Sequence, residues 1–186
     1  MSHDNTVDQS HAKAQGDNVG RDKVTRVYNA RPSKIDEIVE RLRSEQEEGS
    51  KFDGTIEALQ YYLRPVSPDG VVGLEAKLER AERGDQRSKA LREKELFAKY
   101  LERWSHFASA QELFAFLLAS VEQRFNTYLY TQVDQLDRAS FDALLHEKVV
   151  EPILAEIGDE PLGINATVLY GMLFWLAEQC FVRWHK

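Results

Sequence analysis

His146 and Glu147 stand side by side in the segment LLHEKVV, and they open like the zinc-hydrolase signature H-E-x-x-H. That chemistry needs a second histidine four residues on, so that both imidazoles share one helical face with the Glu as general base. Val150 occupies that place. The pair reads as a half-exposed helical His-Glu, and His3, His11, His106 and His185 are too scattered to complete a ligand set. Gly16 and Gly20, followed by Arg21 and Lys23, suggest a phosphate cradle. A Walker loop, however, places its Lys directly after the second Gly, a Ser or Thr next, and a helix behind them. Residues 21–23 are Arg-Asp-Lys and the following residues alternate like a strand. Cys180 is the single cysteine, so one chain forms no disulfide and no thiolate cluster. It lies in an apolar segment with no adjacent base, where burial suppresses thiolate chemistry. No carboxylate sits among apolar residues in a way that marks a general acid or base. The residues thus predict no catalytic site, no cofactor and no metal.

Binding surfaces remain. The run from Arg80 to Lys94 carries Arg80, Arg83, Arg87, Lys89, Arg92 and Lys94, interleaved with Glu79, Glu82, Asp85 and Glu93. It reads either as a salt-laced helical face or as a patch for DNA or an acidic partner. A formal net charge of -7 means that the mean field repels phosphate backbones, so only a local patch could hold nucleic acid. Near the C-terminus, Phe181 and Trp184 are core residues or exposed aromatic anchors for a partner. Val24, Arg26 and Tyr28 alternate with Thr25 and Val27, which is the single strand signal in the chain. One strand cannot satisfy its own backbone groups, so it implies pairing with another edge, in a second copy or a partner.

These residues are carried by an all-α chain. The first 15 residues are polar and aperiodic, which predicts a disordered tail (1–15). Residues 16–30 predict a short strand or hairpin, and residues 31–186 a single helical bundle of six to seven helices. Ser33 predicts an N-cap, with Asp36 and Glu37 in the first turn and Ile35, Ile38, Val39 and Leu42 as the apolar stripe, and Gly49 ends that helix. A short helix from about Thr55 to Leu63 follows, broken by Pro65, Pro68 and Gly70. Gly73 to about Trp104 is split near Gly84-Asp85, and its first half predicts loose packing. Ser109 and Glu112 read as a capping box opening a central apolar helix, Ser140 as the next cap, and Pro152 as a kink or break. Asn165 caps the last helix, which runs to the C-terminus, and Gly171 among its large residues predicts a close helix crossing. The polar N-terminus lacks a secretory core and Ala166 to Ala177 is too short to span a bilayer, which together with the lone cysteine predicts a cytoplasmic setting.

Several segments resemble the C-terminal domains of bacterial ABC-three-component systems, to which Lamassu-type anti-phage and anti-plasmid defence belongs. They are GDNVGRDKV before the helical part, Lys34 to Leu42 (KIDEIVERL), Ile56 to Tyr62 (IEALQYY), Gly73 to Leu78 (GLEAKL) and the ending Tyr170 to Trp184 (YGMLFWLAEQCFVRW). The ending is the most specific, with Gly171, Met172, Cys180, Arg183 and Trp184 at the family's places. The resemblance implies assembly with an SMC-like ABC ATPase and a nuclease-type effector. Relatives carry an effector domain ahead of this module and thirty residues are too few for one, which implies a separate, non-catalytic adaptor subunit. The alternative from the residues themselves is a stand-alone helical DNA-binding protein using residues 80–94.

Overall fold

In the computed structural model the described residues are 33–66, 70–158 and 162–185, all within one compact unit. The tail of residues 1–15 and the strand segment of residues 16–30, with Val24, Arg26 and Tyr28, lie outside them. Among the described residues every regular element is helical. The helices are α1 (Lys34–Glu48), α2 (Glu57–Leu63), α3 (Gly73–Arg80), α4 (Arg87–Arg103), α5 (Ala108–Arg124), α6 (Arg138–Leu145), α7 (Glu151–Ile157) and α8 (Ala166–Glu178). A π-turn over His146–Val150 joins α6 to α7 without a break, so the described residues form seven rods. This agrees with the six to seven expected.

Helices α5 and α8 form the centre. Nine residues of α5 and eight of α8 are buried, on all sides rather than along one stripe, as expected of helices surrounded by others. Around them α1 and α2 pack on α5, and α3 and α4 on α8. Gly171 fixes the α4–α8 approach: a Cβ there would lie 2.3 Å from the Glu93 carbonyl oxygen and 3.0 Å from Phe97 Cβ. The absent side chain lets the two backbones touch, and Phe97 then packs edge-on against Phe114 and Trp175.

Local signals hold at several ends. Ser33 and Asp36 exchange side-chain and backbone hydrogen bonds at the start of α1, and Gly49 (φ 64°) closes it in the left-handed conformation. Asn165 Oδ1 accepts from the amides of Thr167 and Val168. Elsewhere tertiary contacts displaced the local reading. Ser109 and Glu112 do not cap α5, whose N-cap is Phe107 with no side-chain bond. Ser109 Oγ instead donates to Glu45 of α1 at 2.8 Å, and Glu112 binds Lys34 and Arg41 at 3.0 and 2.5 Å. Ser140 is likewise not a cap; its amide and hydroxyl donate to Asp137, which is the cap. α3 does not pack loosely, because Leu74, Lys77 and Leu78 are fully buried.

Pro152 does not break its rod, which runs on from α6 through the π-turn into α7. Lacking an N–H, it leaves the Lys148 carbonyl without its usual i+4 donor. The backbone widens into the π-turn, and Arg124 of α5 donates to that carbonyl at 3.1 Å. At the start of α2, Gln111 of α5 accepts from the Ile56 amide (2.8 Å) and donates to the carbonyls of Gly54 and Ser105. That helix has no side-chain cap of its own.

Candidate functional site

The basic run does not form one face. It begins at the end of α3, passes through a tight turn in which Glu82 takes a left-handed conformation (φ 56°), and continues along α4. Arg83 turns inward: its side chain is 8% exposed, donates to Asp142 of α6 at 2.6 Å and lies over the Phe141 ring. Arg87 pairs with Glu75 of α3, and Lys94 with Glu178 of α8 at 3.4 Å. Lys89 stands 3.8 Å from Glu93 and over the Tyr170 ring. Arg80 and Arg92 are exposed, with no ion pair among the described residues. Four of the six cations are therefore engaged by carboxylates of the same chain.

What α4 does present is a groove of about 510 Å³, lined by Lys89, Arg92, Glu93, Glu95, Leu96 and Lys99 together with Thr167 of the first turn of α8. Glu93 is 9% exposed, and its Oε2 is buried without a hydrogen-bond partner among the described residues. Burial pushes its carboxyl up from the usual range, opposed by the charges of Lys89 and Arg92. Tyr170, beside Lys89, reaches toward His146 Nδ1 at 3.5 Å, and burial pushes its phenol up as well.

The two aromatic residues read as candidate exposed anchors are core residues. Phe181 is 9% exposed and packs on Tyr61 and Tyr62; Trp184 is 5% exposed and packs on Phe125 and Phe174. The sequence predicts that the last helix runs through them to the C-terminus, but it ends at Glu178. The chain reverses there through Cys180 (φ 67°), and the Phe181 amide donates to the Leu176 carbonyl at 2.8 Å, folding the tail back onto the bundle. Cys180 thus lies past the helix, half-buried, rather than inside it. Tyr61 takes over as the exposed aromatic at that corner, beside Leu63. No sequence signal singled out Tyr61, and Leu63, which the helical spacing of Ile56, Leu59 and Tyr62 predicts to face inward, is instead exposed.

Among the described residues no group of three or more His, Cys, Asp or Glu could hold a metal ion, and His146–Glu147 lies in the π-turn with no ligand set around it. No described helix is long and apolar enough to cross a membrane.

Residues 73–184, spanning α3 to α8, match the family model for C-terminal domain 9 of the ABC-three component (ABC-3C) systems. The chain belongs to that family. No curated protein and no solved structure matches it.

Proposed function

We propose that this chain is a non-catalytic assembly subunit of a Lamassu-like anti-phage or anti-plasmid defence complex. In that complex it binds an SMC-like ABC ATPase and a nuclease-type effector in the cytoplasm. The observation that carries this reading is the family match over the whole α3–α8 body, the part that also holds the charged groove. In this reading Val24, Arg26 and Tyr28 supply a strand that joins an effector sheet or a second copy, main-chain bonds giving affinity and alternate side chains selectivity. Stand-alone DNA binding through residues 80–94 would need cations that Asp142, Glu75 and Glu178 already engage.

The test is affinity purification of the tagged full chain, co-expressed with its genomic neighbours, with native mass spectrometry of the eluate. A stoichiometric ATPase, with or without an effector, is the expected result. A lone chain would overturn the assembly role.

A further inference from the structure

Lys89, Arg92, Leu96 and Lys99 follow one another at steps of three, four and three, so they share one face of α4 over about 15 Å, nearly three helical turns. Three cations thus flank one apolar side chain in a groove of about 510 Å³. Their availability differs from that of the other cations in the run. Arg92 has no ion pair among the described residues. Lys99 is held only by Glu95 one turn away on the same helix, at 2.9 Å, with both side chains about two-thirds exposed. Such a pair exchanges readily for a better partner. Lys89 is 61% exposed and its pair with Glu93 is loose at 3.8 Å. The long side chains also offer their methylene stems to an apolar ligand while their charges stay in water.

From this geometry we infer that the α4 groove docks an acidic amphipathic helix of another component of the ABC-3C system, its carboxylates on Lys89, Arg92 and Lys99 and an apolar side chain on Leu96. The inference rests on the assembly role above and names the surface that performs it. Charge complementarity selects this occupant: in a chain of net charge -7, a groove edged by three available cations attracts an acidic segment locally while the remaining surface repels it. A helix-in-groove ligand places side chains at the same three- and four-residue steps that α4 presents. A nucleic-acid backbone fits less well, since it has no apolar side chain to set on Leu96.

The full chain and the R92E/K99E double variant are each co-expressed with the neighbouring components, and capture is quantified. Carbodiimide then links lysine amines directly to carboxylates in the purified complex. R92E/K99E is expected to reduce capture roughly tenfold or more, R92K/K99R to retain it, and cross-links are expected from Lys89 and Lys99 to Asp or Glu of one partner segment. Capture unchanged by R92E/K99E overturns the groove assignment and leaves the assembly role standing. Capture by neither chain overturns both. Retention of the isolated chain on duplex DNA at low salt, abolished by R92E/K99E, would overturn the inference in favour of nucleic acid. Self-association lost in the same variant would overturn it in favour of a second copy. Circular dichroism separates all of these from unfolding, because both substituted side chains are exposed.

Discussion

Lys77 of α3, 1% exposed, donates a 2.7 Å hydrogen bond to the carbonyl of Ala177 in the last turn of α8. The same ammonium reaches the Val182 carbonyl at 3.2 Å. α8 has no basic residue in its own last turn, so a lysine a hundred residues earlier supplies the positive charge that the negative end of a helix favours. It also ties the folded-back tail to the bundle. Replacing it by methionine keeps the stem and removes the donor to Val182 and Ala177, while Ala177 keeps the Cys180 amide at 3.2 Å. K77M is expected to cost about 2 kcal/mol by urea unfolding and to speed thiol labelling at Cys180 under native conditions, because the Cys180–His185 tail opens more often. Unchanged labelling would show that the tail is held by Phe181 and Trp184 packing alone.

Gly171 and Gly163 make a matched pair of alanine substitutions. G171A drives a Cβ into the Glu93 carbonyl and should cost about 3 kcal/mol or more, or prevent folding, since two helix axes must separate. Gly163 has a positive φ of 69° with nothing within 4 Å, so G163A should cost only about 1 kcal/mol for backbone strain. Chemical denaturation of the two variants reads the difference.

Asp142 compensates the buried guanidinium of Arg83, while its own side chain is 41% exposed. D142A leaves a buried cation with only Gln86 at 3.5 Å and the Phe141 ring. A loss of about 2 kcal/mol is expected, less than for a fully buried pair because water reaches the Asp142 side. R83M/D142A should lose less than the sum of the two single variants, a coupling that a double-mutant cycle measures.

Burial holds the Glu93 carboxyl above its ordinary value of 4.5. The folded chain therefore binds this proton more tightly than the unfolded chain does. The resulting stabilisation is full below the unfolded value and is lost as pH rises through the folded one. E93Q removes that loss, so it should melt higher than the wild type at neutral pH, with the gap closing as pH falls toward 4.5. A gap independent of pH would assign the gain to packing instead.

Arg124 and Lys148 provide a fifth test. The Lys148 carbonyl, deprived of its donor by Pro152, relies on the Arg124 guanidinium. R124M should cost about 1–2 kcal/mol, and P152A should rescue part of it by restoring an N–H to the helix. Absence of rescue would indicate that the π-turn is set by packing of Val149 and Val150 rather than by the proline.

The sequence by itself determined the helical class, most helix ends and the closest crossing. Those signals are local: the three- and four-residue apolar steps of Ile35, Ile38, Val39 and Leu42, the Ser33 and Asn165 caps, the left-handed Gly49, and a glycine where two backbones must touch. What only the tertiary structure decided is where polar and charged side chains spend their hydrogen bonds. Ser109 and Glu112 carry the pattern of a capping box, yet their partners Glu45 and Arg41 lie 64 and 71 residues away. Lys77 and Arg83 look like surface charges until Ala177 and Asp142, 100 and 59 residues distant, surround them with acceptors. For Phe181 and Trp184 the residue types left core and exposed anchor open, and the turn at Cys180, which folds them inward, decided for the core. Periodicity records which face of a helix is apolar, because that depends on the segment alone. The partner of a long flexible side chain depends on which other helix the fold brings within its reach, and no local window of sequence contains that residue.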